Sequence, residues 1–183
     1  GSAIQAIPKP KISGKELSPI LQDIDSYGPL PNNDPYKKQA FDEIRKSLKE
    51  KGVTHVDAYH VTDAPIDVLQ KTGIKGAESD FIGRSGGNVR DSSVYMFLDP
   101  EDITRGYAGI LGAKNPVNNV VHIKIPLSEL DNMRWDSNFN ITFDTYSSTR
   151  KIGNIPAEWI SGVYKYDPSI ASAQANASIA PGG

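Results

Sequence analysis

The segment Val56-Asp57-Ala58-Tyr59-His60-Val61-Thr62 constrains this chain more than any other stretch. β-Branched and aromatic side chains recur through it over the length of one strand, which predicts a strand buried on at least one side. The residues that follow, Asp63-Ala64-Pro65-Ile66-Asp67-Val68-Leu69-Gln70-Lys71-Thr72-Gly73, set an Asp at an N-cap, a Pro inside the first turn and a Gly at the stop. That order predicts a helix. A strand that hands His60 to a helix start holds an imidazole on rigid scaffold, and such a place suits a site.

Around this unit, 183 residues with 38% apolar content suffice for one domain with a substantial core. A formal charge of -2 provides no overall basic field toward nucleic acid or an anionic membrane. The absence of cysteine removes disulfides, thiolate metal sites and a cysteine nucleophile. No run approaches the roughly 18 apolar residues that span a bilayer, and the first residues lack the regions of a signal peptide. Gly1-Ser2 is a pair that a cloning junction leaves, so a domain cut from a longer protein is expected, exported by something else.

Pro8, Pro10, Pro19, Pro29, Pro31 and Pro35 leave little room for helix early in the chain, except around Leu17 to Ile24. Residues 1–34 are therefore expected to be a Pro-rich linker or loosely docked arm. Asp34-Pro35 caps a helix whose Tyr36, Ala40, Phe41, Ile44 and Leu48 share one face, ending at Gly52. Lys75 to Asp91 is a polar loop with Gly76, Gly83, Gly86 and Gly87, a density found in phosphate cradles and in plain mobile loops alike. Ser93 to Leu98 is a second strand, and Asp99-Pro100-Glu101-Asp102 opens a short helix towards Tyr107. Asn119 to Pro126 alternates as a third strand with one wet face. Ile141 to Tyr146 is expected as a fourth strand, and Ala157 to Ile160 as a fifth that continues through Gly162 to Tyr166. Residues 168–183 hold almost no core material and are expected to form a disordered tail, leaving 35–167 as the folded domain.

His55, His60 and His122 lack the paired spacing of a metal motif, so no metal is expected. No Gly-x-Ser-x-Gly elbow supports a Ser-His-Asp triad. A histidine or tyrosine in a strand is ordinarily structural, and a lone carboxylate in an apolar stretch ordinarily faces solvent. The sharper signal is an ordered set: His60, Tyr95, Tyr107 and Glu158.

In that order the chain resembles the His-Tyr-Glu ADP-ribosyltransferases, most closely the toxin branch that contains diphtheria toxin. Tyr59-His60-Val61-Thr62 is similar to that branch's Tyr-His-Gly-Thr, and Leu69-Gln70-Lys71-Thr72-Gly73-Ile74 to the helix end and Gly that follow. Val94-Tyr95 through Gly106-Tyr107 resembles its paired-tyrosine segment, Val120 to Lys124 its next strand, and Glu158-Trp159-Ile160 the surroundings of its catalytic glutamate. The likeness runs from about His55 to Tyr166. It implies an α+β fold, an ADP-ribosyltransferase-like split β-sandwich of two small, mostly antiparallel sheets with flanking helices and an NAD cleft between them. It also implies a mono-ADP-ribosyltransferase toxin domain that cleaves NAD, its substrate, and passes ADP-ribose to a macromolecule.

The resemblance assigns catalysis to Glu158 and NAD binding to His60, Val61, Thr62, Tyr95 and Tyr107. His60 holds a ribose, the Val61 backbone meets the carboxamide, and the two tyrosines clamp the nicotinamide. The chemistry suits these residue types. Cleavage of the nicotinamide-ribose bond develops an oxocarbenium ion that a fixed carboxylate stabilises. A flat cation between tyrosine faces gains about 0.5 to 2 kcal/mol from each. Two departures stand out. Val61 replaces the branch's Gly, and Pro156 stands where arginine-modifying relatives place Glu or Gln, which disfavours an arginine acceptor. The expected partners are a protein or nucleic-acid acceptor and, by analogy with delivered toxins, a cognate inhibitor protein. A secreted or delivered effector acting in the target-cell cytoplasm is expected, without membrane insertion by this domain. An NAD glycohydrolase on the same fold, a metal-independent ribonuclease using His60 or His122 with Glu158, and a binding module without chemistry remain open.

Overall fold

The structure is a computed structural model and describes residues 7–25, 31, 33–76, 92–106 and 119–165. Most of the Gly-rich loop, Tyr107, Tyr166 and the tail lie outside the described residues. The chain runs through α1 (Gly14–Asp25), α2 (Pro35–Glu50), β1 (His55–Thr62), α3 (Ile66–Thr72), β2 (Ser93–Phe97) and α4 (Glu101–Gly106). It continues through β3 (Asn119–Pro126), a 3-10 segment (Leu127–Asn132), β4 (Met133–Trp135), α5 (Ser137–Phe143) and β5 (Ser148–Ile152). A second 3-10 turn (Ala157–Trp159) leads into β6 (Ile160–Lys165).

β1 pairs antiparallel with β3 along its whole length, from His55↔Pro126 to Thr62↔Asn119, and β3 pairs with β6. On the other side β2 pairs with β5, and β5 with β4. A single register pair, Tyr59↔Phe97, joins β1 to β2. The strand order β4-β5-β2-β1-β3-β6 is thus two three-stranded antiparallel wings joined at one point. The α+β class expected from the sequence is the class observed; the two small sheets are these wings, linked into one.

Side chains alternate across the strands, and the two faces differ. Val56 and Ala58 share the inner face with Val94, Met96, Val121, Ile123 and Ile125, and this layer packs with Leu17 and Leu21 of α1 and Phe41 and Leu48 of α2 as the main core. The opposite face carries a smaller cluster of Tyr59, Phe97, Val120 and Ile103. α2 forms where the sequence places it. Asp34 accepts from Tyr36 N at 3.0 Å and Lys37 N at 3.2 Å, and the chain leaves through Gly52 at φ +80°.

Four local expectations need correction, and a fifth feature was not expected at all. First, residues 14–25 are no loose arm: Leu17 and Leu21 are fully buried against the core. Pro19 inside α1 removes one helical donor, but apolar burial outweighs that loss, and Gly14 N is held by Asp99 Oδ1 at 2.7 Å. Second, Ile141 to Tyr146 is not a strand. Asp136 caps α5, buried Asn140 bonds Ser148 N, Ser148 O and Thr145 Oγ1, and Ile141 is left 78% exposed. Third, β3 has no wet face, since Lys124 alone along it is exposed. Fourth, the helix after β1 starts at Ile66 behind Pro65, and Asp63 is not its cap. Fifth, β5 and β4 were hidden by polarity: Ser148, Thr149 and Lys151 are buried, with Thr149 Oγ1 donating to Arg134 O at 2.6 Å.

Leu21→Ala is expected to cost about 2 to 5 kcal/mol of stability, read as a lower urea midpoint at unchanged slope. A midpoint equal to wild type would restore the loosely docked arm.

Candidate functional site

His60 is placed where the two wings separate. One residue past the junction at Tyr59, its Nδ1–H donates to the Tyr95 carbonyl oxygen at 2.7 Å. A carbonyl only accepts, so in the neutral ring the proton sits on Nδ1 and Nε2 keeps its lone pair. Burial lowers the His60 pKa, and the bond to Tyr95 only partly offsets that. The residue nevertheless keeps some exposed surface, and Nε2 has no partner among the described residues.

Glu158 lies elsewhere on the sheet. The expected strand around it is the 3-10 turn Ala157–Trp159, closed by Trp159 N donating to Pro156 O at 3.1 Å. Pro156 has no N–H for a ladder, which explains the turn. β6 begins only at Ile160, opposite Ile123. Glu158 is exposed and makes no hydrogen bond or ion pair among the described residues. The turn rests on the end of α3: Ile74 and Ile155 exchange two backbone bonds of 2.9 and 2.8 Å. Gly73, at φ +68°, has no room for a Cβ, which would overlap the Ile155 oxygen and come within 2.8 Å of Ala157 N. His60 lines up with Val121 and Val163. The Glu158 backbone therefore lies two strand spacings away, about 10 Å or more. The two residues do not form a direct acid-base pair; the separation suits two parts of one extended ligand.

The other predicted site residues divide. Val61 pairs with Val120 and is half-buried. Thr62 Oγ1 accepts from Ala64 N at 3.1 Å, which shapes the turn into α3. Tyr95 contributes its carbonyl to His60, while alternation sends its half-buried side chain to the face of Ser93 and Phe97, opposite the inner one. Tyr107 lies outside the described residues, so the paired clamp rests on sequence alone.

A second polar constellation sits on the face opposite His60. His122 Nε2 contacts Asp57 Oδ1 at 2.7 Å, Lys11 N donates to Asp57 Oδ2 at 2.7 Å, and His55 Nε2 stands 3.4 Å from Oδ1. Burial alone would raise the Asp57 pKa; the bonds from His122 and Lys11 outweigh it and hold the carboxyl below its usual range. Tyr59 stacks on His122 with ring centres 5.1 Å apart. His122 is thus buried and committed to Asp57, which removes it as the partner of Glu158 in a ribonuclease. The signal was present in the sequence, because His55, Asp57 and Tyr59 alternate with His60 and must share the face it does not use. No group of three or more acidic or histidine side chains among the described residues is arranged to hold a metal. No helix among them is long and apolar enough to cross a membrane.

No protein-family model matches the sequence, and no curated protein matches it. Among solved structures, a variant of the Scabin toxin from Streptomyces scabies aligns with a TM-score of 0.42 at 12% identity, over 65% of this chain and 70% of that one. EcPltA aligns with a TM-score of 0.41 at 13% identity, over 64% and 80% respectively. The likeness is one of partial chain path and assigns no role to any side chain here.

The lowered His60 pKa fixes a sign. The unfolded chain binds its proton near the ordinary value of about 6.5, the folded chain only at lower pH, so stability is lost as pH falls through that window. The thermal midpoint of wild type minus that of His60→Gln is expected to fall between about pH 7.5 and 5. A constant difference would contradict a neutral, enclosed His60.

Proposed function

We propose that this chain is a mono-ADP-ribosyltransferase toxin domain that cleaves NAD between nicotinamide and ribose and passes ADP-ribose to a macromolecular acceptor. The observation that carries this reading is the orientation of His60: Nδ1–H is fixed on the Tyr95 carbonyl, and Nε2 is left for a ligand at the opening between the wings. A ribose hydroxyl donates to such a nitrogen. The unpaired Glu158 carboxylate, two strands across, is the group to stabilise positive charge at the ribose carbon as nicotinamide departs. Fixing the ribose and the carboxylate on separate strands of one wing holds the breaking bond in a constant geometry. The ordered resemblance from Tyr59 to Trp159 supports the same assignment. A backbone contact at Val61 to the carboxamide completes the proposed NAD site; the Tyr95 ring, on the face opposite His60, stands outside it, and a tyrosine clamp is left to Tyr107, beyond the described residues. The acceptor is a protein or a nucleic acid, a cognate inhibitor protein protects the producer, and the domain acts after delivery into a target cell.

One observation favours NAD hydrolysis as a second reading. Glu158 faces solvent, and neither Pro156 nor Ala157 supplies a side chain to activate an acceptor, so water competes at this carboxylate.

Glu158→Gln is expected to lower nicotinamide release about 100- to 1000-fold, the scale of losing one transition-state electrostatic contact. Its thermal midpoint is expected to match wild type, since Glu158 makes no hydrogen bond or ion pair among the described residues. Turnover at the wild-type rate would overturn the assignment. With labelled NAD and a cell lysate, label in a macromolecule supports transfer, and nicotinamide release without label supports hydrolysis.

A further inference from the structure

We propose that Lys151 of β5 is a positioning residue for Glu158, its ammonium fastening the turn that carries the carboxylate. This rests on the assignment of Glu158 to catalysis. Lys151 is 7% exposed. Burying an ammonium costs several kcal/mol unless its surroundings compensate. Its nearest carboxylate oxygen among the described residues, Glu129 Oε2, stands 4.0 Å away on a side chain that is 31% exposed, which makes a weak ion pair. A methionine would fill the same space without that cost. The ammonium has a different use, visible in its other two contacts. Nζ donates to the Asn154 carbonyl at 2.9 Å and lies over the Trp159 ring, 5.1 Å from its centre.

Those contacts tie together the two ends of the connection between β5 and β6. Its first half is anchored by backbone. Gly153 N donates to Ser92 O at 2.8 Å, Asn154 Oδ1 accepts from Gly76 N at 2.8 Å, and Ile155 bridges to Ile74. Past Ile155 no such anchor is found among the described residues until Ile160 joins β3: Pro156 has no N–H, Ala157 has no functional side chain, and Glu158 points into solvent. Trp159, packed against the main core, is the side chain that holds this second half, and Lys151 holds Trp159. Lys151 sits opposite Val94 on the inner face, so it reaches the other wing across that face. A cation over a tryptophan is the strongest of the cation-aromatic pairs, and more so when desolvated. The orientation of the Glu158 turn therefore depends on one buried charge in the neighbouring wing.

The test compares Lys151→Met, Lys151→Arg, Trp159→Leu and the Lys151→Met/Trp159→Leu double variant in nicotinamide release from NAD, with thermal midpoints recorded for each. A carboxylate displaced by about 1 Å loses up to about 100-fold in rate. Lys151→Met and Trp159→Leu are each expected to lose about 10- to 100-fold in kcat with KM for NAD near wild type. Lys151→Arg is expected to restore most of kcat, and the double variant to be no slower than the slower single one. A lysine that only supports the fold would lower the midpoint of Lys151→Met while the folded protein keeps wild-type kcat, and that result overturns the inference. If Lys151→Met does not fold, Trp159→Leu decides: wild-type kcat there overturns it equally. An inactive Glu158→Gln beside fully active Lys151 and Trp159 variants sinks the positioning role and leaves the NAD assignment standing. An active Glu158→Gln sinks both.

Discussion

The single pairing of Tyr59 with Phe97 is the constraint on which the rest of the structure depends. It holds two three-stranded wings in one sheet and lets them part immediately beyond. Carried two residues further, the same register would set Val61 opposite Tyr95, yet no pair forms there. The Tyr95 carbonyl that a ladder would have used is instead satisfied by the His60 ring. A backbone bond is replaced by a side-chain bond, and the exchange places an imidazole where the wings part, its second nitrogen without a partner among the described residues. The junction is braced from the other face. Tyr59 is fully buried, stacks on His122 and donates its hydroxyl to Pro8 O at 2.5 Å. Burial raises its pKa, so the hydroxyl stays a donor at physiological pH.

Strand alternation then separates two uses of polar side chains on one strand. Asp57 and Tyr59 point to the face where residues 7–12 lie across β1, and there they are spent on structure: Lys11 N, Pro8 O and His122. His60 points the other way. A one-residue slip of register would exchange these roles, burying His60 under the N-terminal segment and presenting Asp57 at the opening. The eight pairs between β1 and β3 forbid that slip, since every inward Val or Ile would move with it. The packing of β3 against β1 is therefore what fixes the face to which His60 points.

The elements that were legible in the sequence are those whose own residues decide them. β1 and β3 carry apolar β-branched runs, and α2 carries its cap, its Pro and its stop in consecutive residues. The misread elements are settled by distant partners. α1 tolerates Pro19 because Leu17 and Leu21 find the core, and α5 replaces a β-prone run because Asn140 is claimed by Ser148. β5 is written in Ser, Thr and Lys, whose burial makes sense only beside the groups that satisfy them. The same division runs through the candidate site. His60 was readable from its strand, whereas the turn at Glu158, the opposed face of the Tyr95 ring and the role of Lys151 follow from contacts between wings.

The most direct measurement is the 15N NMR spectrum of the histidine side chains, which distinguishes a ring nitrogen bearing a proton from one bearing a lone pair. It would be recorded on the Glu158→Gln protein, so that NAD is not consumed, with His60→Gln added to assign the signals. The expected result is a neutral His60 protonated on Nδ1 at neutral pH, with an Nε2 signal that shifts when NAD is added. A His60 protonated on Nε2 alone, or an Nε2 signal that saturating NAD leaves unchanged, would contradict the placement of a ribose against this ring.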